Sequence, residues 1–149
     1  MKFFEDFELG EKFESPARTI TEADIVMFAA LSGDWTPIHV DEEYAKSTAF
    51  GRRIAHGLLT LSIASGLLTR LRIVENTVVA FYGIDKLRFT KPVFAGDTIK
   101  AVAEVISKED KDQYGVIVYD VKVYKQTGEL VLTYVSKVAV KKRPFRKDI

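Results

Sequence analysis

The chain has 149 residues, an ordinary share of apolar and charged side chains, and a formal net charge of +1. That length suits one domain with its own hydrophobic core, so we predict a single domain over residues 1–149. The near-neutral charge argues against a nucleic-acid partner, and the basic run at residues 141–147 is short enough to be interpreted as solvated. The absence of cysteine excludes disulfides, thiolate nucleophiles and cysteine-bound zinc.

We expect a soluble, cytoplasmic protein without a membrane partner. The first six residues contain acids and lack the apolar centre of a signal peptide. The longest apolar stretch, residues 57–73, carries several hydroxyl side chains and Arg70, and it is shorter than the ~20 residues that a membrane helix needs.

The first half of the chain is predicted to be helical. Thr21 begins a capping box, apolar residues then recur at helical spacing, and Gly33 ends this first helix. Residues 41–46 predict a short second helix, and residues 49–56 predict a loop. The stretch from residue 57 to about residue 72 predicts a long helix that is apolar on nearly every side and therefore buried.

The second half of the chain is predicted to form strands, because apolar residues alternate with polar ones or form short runs. The predicted strands cover residues 78–83, 87–90, 99–105, 117–123 and 130–140. Residues 13–19 add an edge strand that Pro16 limits, and residues 126–129 predict a hairpin turn. We therefore predict an α+β fold in which an antiparallel sheet curls around the long helix.

The run from Leu31 to His39 carries the most informative pattern. Asp34 and His39 lie five residues apart, across a turn that Gly33 and Pro37 make tight. An imidazole titrates near neutrality, and a carboxylate is its usual neighbour in acid–base work, so the pair can hold and activate a water. The simpler alternative is a turn aspartate beside a surface histidine.

The residues from Phe28 to His39 resemble the hydratase-2 signature of the MaoC-like dehydratases, the (R)-specific enoyl-CoA hydratases. Three further stretches resemble that family in matching order, namely residues 49–59, 65–68 and 89–97. The resemblance implies a hotdog fold, in which an antiparallel sheet wraps a long central helix, and at least a homodimer. The asparagine of the signature is Thr36 here, which leaves the pocket shape and the substrate class open.

The resemblance also implies roles for individual residues. By this resemblance, Asp34 and His39 are the acid–base pair, and the Gly57 N–H forms the oxyanion hole for the thioester oxygen. Ser65 supports the carboxylate or the imidazole of that pair. Coenzyme A is part of the substrate, so no cofactor and no metal are implied. The simpler alternatives are a helix-start glycine at Gly57, a core serine at Ser65 and a structural histidine at His56; a weak metal site formed by the pair and His56 stays open as well.

The resulting function is hydration of a trans-2-enoyl-CoA to the (R)-3-hydroxyacyl-CoA, or the reverse dehydration, which makes the chain a hydro-lyase. The alternatives are a hotdog acyl-CoA thioesterase and a non-catalytic acyl-CoA-binding subunit. The sequence leaves acyl length, branching and polarity open, together with the pathway and assemblies beyond a dimer. The basic candidates for the coenzyme A phosphates are Arg52, Arg53, Arg70, Arg88 and Lys91. The candidates for the acyl tunnel are Phe28, Trp35, Leu58 and Leu59.

Overall fold

The structure is a computed structural model that describes residues 1–144. The end of the basic run, from residue 145 onward, and the last five residues of the predicted domain lie outside the described residues, and the single-domain assignment stays a prediction. A 3-10 turn at Phe4–Asp6 is followed in chain order by β1 (Lys12–Glu14), β2 (Arg18–Thr19), α1 (Glu22–Ser32), α2 (Pro37–Val40), α3 (Glu42–Lys46), α4 (Gly57–Thr69), β3 (Val78–Phe89), β4 (Thr98–Asp110), β5 (Tyr114–Lys125) and β6 (Leu130–Lys141). Among the described residues, no helix is long and apolar enough to cross a membrane.

The strands form one six-stranded antiparallel sheet in the order β1-β4-β5-β6-β3, with β2 also paired to β4. The strands predicted at residues 99–105, 117–123 and 130–140 are confirmed, and each is longer than predicted. The predicted edge strand at residues 13–19 is divided into β1 and β2 around Pro16, because proline cannot donate to the ladder. The two runs predicted at residues 78–83 and 87–90 are one continuous strand, β3.

The ends of α1 follow from its local sequence. Thr21 Oγ1 accepts a hydrogen bond from the Asp24 N–H at 3.2 Å, and Asp24 Oδ2 accepts one from the Thr21 N–H at 2.8 Å. Gly33 then adopts a left-handed φ of 78° and ends the helix, as predicted. This turn directs the chain into the loop that carries the candidate site.

Helix α4 packs against the sheet through one face. Leu59, Ala64 and Leu67 are buried there together with residues of β4, β5 and β6. The sequence predicted that this helix is buried on nearly every side. In the single chain that prediction is wrong, because Leu58 on α4 is 57% exposed to solvent. The helix also ends at Thr69, earlier than predicted. The predicted α+β class, with an antiparallel sheet packed on a long helix, is confirmed.

Candidate active site

Asp34 lies in the loop between α1 and α2, and its carboxylate is held on one side by Thr36. The Thr36 hydroxyl donates to Asp34 Oδ1 at 2.6 Å, and the Thr36 N–H donates to the same oxygen at 3.2 Å. These two bonds, the hydroxyl first, hold the pKa of Asp34 below its ordinary value. Its side chain is 45% exposed, so the second oxygen is open to water.

His39 lies on the short helix α2, which Pro37 begins at a position where a missing N–H costs nothing. Its Nδ1 lies 2.8 Å from the carbonyl oxygen of Ile54. A carbonyl only accepts, so Nδ1 carries the hydrogen and the neutral ring presents the lone pair of Nε2. That Nε2 lies 4.0 Å from Asp34 Oδ2.

His56 joins the loop to the beginning of α4. Its ring is buried and stacks on the ring of His39, with centroids 3.9 Å apart and an interplanar angle of 25°. Its Nε2 lies 3.0 Å from the backbone oxygen of Asp34, and Phe28 covers its ring at 4.9 Å. The start of α4 is thereby held against the Asp34–His39 pair.

Gly57 is the first residue of α4, where a helix leaves its N–H groups unpaired and its dipole favours negative charge. It lines a pocket of about 400 Å³ together with Phe50, Leu58, Phe89 and Lys91. A Cβ at Gly57 would lie only 2.7 Å from Cε1 of Phe89. Glycine is therefore required for the ring of Phe89 to approach the helix start this closely.

Ser65 lies elsewhere. It follows Gly57 by eight residues, about 12 Å along the helix axis at 1.5 Å per residue. It lines a second cavity, of about 530 Å³, with Tyr119, Tyr134 and Ser136 on the inner face of the sheet. Within residues 1–144 the Ser65 side chain makes no direct hydrogen bond to Asp34 or His39. No direct contact with the pair therefore supports the predicted role of Ser65.

Ligand atoms of Asp34, His39 and His56 lie within 4.8 Å of one another. The nitrogen lone pairs of an imidazole lie in the plane of its ring, and the rings of His39 and His56 are stacked in nearly parallel planes. A bound metal ion needs lone pairs that converge on one point, which suits this stacked arrangement poorly. The arrangement suits a water better than an ion, and the expectation of no metal stays a prediction.

The other candidates divide between the site and the rest of the fold. Leu58 and Lys91 line the pocket at Gly57, whereas Leu59 is buried in the core and Trp35 is 52% exposed. Two of the basic candidates for the coenzyme A phosphates have partners within the chain, because Arg53 is paired with Glu22 and Glu42 and Arg52 stacks on Phe94 at 3.9 Å.

Sequence reasoning missed three parts of the site. The carbonyl of Ile54 carries no side-chain signal, and the ring of Phe89 reaches Gly57 from the far end of β3. The third part is the contact of Thr36 with Asp34, for which the sequence holds a signal, because an Asp side chain in a turn commonly accepts from the N–H two residues on.

Comparison with known proteins gives the family. A family model described as the MaoC like domain matches residues 6–127. The chain belongs to the MaoC-like dehydratase family. The (R)-specific enoyl-CoA hydratase of Rhodospirillum rubrum is 43% identical over 106 residues, which are 70% of this chain and 70% of that protein. The (R)-specific enoyl-CoA hydratase of Aeromonas caviae is 35% identical over 130 residues, 87% of this chain and 92% of that protein.

Solved structures confirm the hotdog fold of this MaoC-like chain. A protein of Archaeoglobus described as a monoamine oxidase regulatory protein superimposes with a TM-score of 0.92 at 46% identity, over 96% of both chains. A Mycobacterium tuberculosis protein described as a double hotdog fold superimposes with a TM-score of 0.86 at 21% identity, over 99% of this chain and 46% of that one. The second likeness shows the fold alone.

A 3-hydroxybutyryl-CoA dehydratase of Methylorubrum extorquens is 41% identical over 104 residues, 69% of this chain and 63% of that protein. Enoyl-CoA hydratases and 3-hydroxyacyl dehydratases are hydro-lyases, so the predicted enzyme class is confirmed. The chain spans only 29% of the length of another relative, Protein MaoC of Klebsiella aerogenes, to which it is 44% identical over 99 residues. The substrate and the roles of individual residues therefore belong to the proposal that follows.

Proposed function

We propose that this chain hydrates a trans-2-enoyl-CoA to the (R)-3-hydroxyacyl-CoA, or catalyses the reverse dehydration. The observation that carries the proposal is the 4.0 Å separation between Asp34 Oδ2 and His39 Nε2. A single water with hydrogen bonds of about 2.8 Å can join two polar atoms at that separation. The relatives named (R)-specific enoyl-CoA hydratase support the substrate class and the stereochemistry.

The proton inventory fits the addition of one water. His39 Nε2 accepts a proton while the water oxygen forms a bond to C3 of the substrate. The electron pair of the C2=C3 bond moves toward the thioester, and negative charge develops on its oxygen. C2 then receives a proton from the acid–base pair, on the face where the water was held, so that both hydrogens and the oxygen of the water end in the product.

Gly57 is the proposed oxyanion donor. Its N–H lies in the first turn of α4, where it has no partner inside the helix, and the helix dipole stabilises negative charge. The preceding residue, His56, contacts both members of the pair, so the donor and the water site are joined by one rigid connection. The absence of a side chain lets the Phe89 ring pack against the helix start, and both residues line the pocket that would receive the thioester.

We also propose a homodimer. Strand β3 ends the sheet and is paired only with β6, so its outer backbone groups are free within the described residues. Its exposed side chains include Val79, Phe81 and Tyr82, at 52%, 57% and 55% exposure. A long apolar edge strand is a ready template for pairing with another chain. Pairing with a second β3 would extend the sheet across both subunits.

A thioesterase would direct the same water at C1 and release the coenzyme A thiol. Hydration instead needs a base for the water and a proton for C2, and the pair offers both from one water site. A non-catalytic acyl-CoA-binding subunit would not need Asp34 and His39 to be held around one water site. The proposal also includes a cytoplasmic location. It includes no cofactor and neither a nucleic-acid nor a membrane partner.

The experiment is to mix the protein with enoyl-CoA esters of increasing acyl length and to follow the loss of the absorbance of the conjugated thioester. We expect loss of absorbance with at least one ester, and a loss that is slower by about 100-fold or more with the same ester and the Asp34→Asn variant. Unchanged absorbance across the whole series with the intact protein would contradict the proposal.

A further inference from the structure

His56 makes contacts that a helix start does not need. It occupies the N-cap position of α4 but forms no side-chain capping bond to the helix. An N-cap is normally a small polar residue whose oxygen accepts an N–H of the first turn. The polar contact of the His56 ring goes instead to the site loop, where Nε2 lies 3.0 Å from the carbonyl oxygen of Asp34.

The hydrogen-bonding pattern fixes the tautomer of His56. The carbonyl of Asp34 only accepts, so Nε2 carries the hydrogen and Nδ1 presents a lone pair. That Nδ1 is buried and has no hydrogen-bond partner among the described residues. This nitrogen therefore adds no protein hydrogen bond to the fold, and the contacts that distinguish His56 are those of Nε2 and of the ring face.

Both polar members of the site rest on this ring. The His56 ring holds the loop at the backbone of Asp34 and lies flat against the ring of His39 at 3.9 Å. Phe28 supports it from the helix α1 side at 4.9 Å, and only 3% of His56 is exposed. Movement of this ring would change the position of the carboxylate and the plane of the catalytic imidazole together.

We propose that His56 is a positioning residue: by binding the Asp34 carbonyl and stacking on His39, it sets the distance and orientation of the pair that holds the reacting water. The proposal rests on the proposed function for the reaction in which the pair acts. It assigns no proton transfer to His56, whose ring is covered by its neighbours.

Two variants separate the two contacts. His56→Phe keeps an aromatic ring against His39 and removes the donor to the Asp34 carbonyl. His56→Gln keeps an N–H donor at a similar reach and removes the stacked ring. For each variant we expect kcat to fall about 10-fold to 100-fold, as expected when reacting groups are misplaced by about 1 Å. We expect KM to change by less than about threefold, because His56 is buried and does not line the pocket at Gly57.

A double-variant comparison distinguishes positioning from a general structural role. In an Asp34→Asn background, His56→Phe should lower the residual kcat much less than it does in the intact protein, since the carboxylate to be positioned is gone. An equal fold-loss in both backgrounds would overturn the proposal. The proposal would also be overturned if both single variants kept the kcat of the intact protein together with its thermal unfolding.

A spectroscopic readout tests the same idea without turnover. In the intact protein the Nδ1–H of His39, bonded to Ile54, should give a ring N–H signal in ¹⁵N-edited NMR that is protected from solvent exchange. We expect His56→Phe and His56→Gln to weaken or remove that protection. Retained protection in both variants would overturn the positioning role, whereas absence of hydration by the intact protein would overturn only the proposed function.

Discussion

Asp34 Oδ2 and His39 Nε2 lie 4.0 Å apart, and each side chain is anchored by its other polar atom. Thr36 holds Asp34 Oδ1, and the Ile54 carbonyl accepts from His39 Nδ1. Each partner therefore turns its free atom toward the same small volume. The pair needs no direct bond between its members, which leaves room for one water.

The first prediction concerns this pair. Asp34→Asn and His39→Gln change the chemistry with little change of shape, so each should fold normally and lower kcat by about 100-fold or more. The double variant should be little worse than either single one, because the two groups act on one water. Glu43→Gln, an exposed carboxylate on α3, is the matched control. Near-normal turnover of an enoyl-CoA by either single variant would remove that residue from the acid–base role.

The second prediction concerns Thr36 and pH. Its hydroxyl and N–H lower the pKa of Asp34 from the ordinary 3.8. A carboxyl whose folded-state pKa is lowered adds stability above its unfolded pKa and loses it as pH falls through the folded value. Thr36→Val should raise the Asp34 midpoint in a ¹³C NMR titration, and it should destabilise the fold more at about pH 7 than at about pH 2.

Thr36→Ser keeps the hydroxyl and serves as the control, with a midpoint near that of the intact protein. Thr36→Asn, the residue of the family signature, should also retain a donor to the carboxylate. An Asp34 midpoint that stays fixed in Thr36→Val would show that the 2.6 Å contact does not act on its ionisation.

The third prediction concerns Gly57. A methyl group at this position would meet the ring of Phe89 at 2.7 Å, and since Phe89 is 51% exposed the ring can move aside. We expect Gly57→Ala to leave the unfolding temperature nearly unchanged and to lower kcat, because the methyl group and the displaced ring obstruct the helix start. Gly66→Ala is the matched control, since no atom lies within 4 Å of a Cβ there. Full activity of Gly57→Ala would argue against a close thioester approach at this N–H.

The fourth prediction concerns assembly. Light scattering at micromolar concentration should give at least the mass of a dimer. Val79→Lys combined with Tyr82→Lys places two charges on the exposed part of β3 and should shift the protein toward monomer. Leu9→Lys, at a side chain that is 68% exposed on another surface, should leave the mass unchanged. A monomeric intact protein that hydrates enoyl-CoA would contradict the proposed homodimer.

The parts of the molecule that sequence predicts well depend on neighbours in the chain. The start of α1 at Thr21 and its end at Gly33 involve bonds between residues a few positions apart, so both were predicted correctly. The alternation in β4, β5 and β6 identifies which side chains face the helix, and the structure confirms those strands.

The parts that sequence predicts poorly depend on distant contacts. The apolar composition of α4 suggested burial on nearly every side, but only one face meets the sheet and Leu58 stays exposed. The contacts of Asp34 with His56 and of Gly57 with Phe89 join residues 22 and 32 positions apart in the sequence. The family motif indicated that these segments belong to the functional site. The contacts between them are visible only in the folded chain.

The proposed hydratase activity is tested most sharply by comparing an unsaturated and a saturated thioester of equal length, crotonyl-CoA and butyryl-CoA. Hydration needs the C2=C3 bond, so crotonyl-CoA should give 3-hydroxybutyryl-CoA of the (R) configuration, measured by chiral chromatography, without release of free thiol. Butyryl-CoA should not react, since it offers no electrophilic C3. Stoichiometric thiol release from butyryl-CoA, with no hydration of crotonyl-CoA, would contradict the proposed hydratase activity and make the protein a thioesterase.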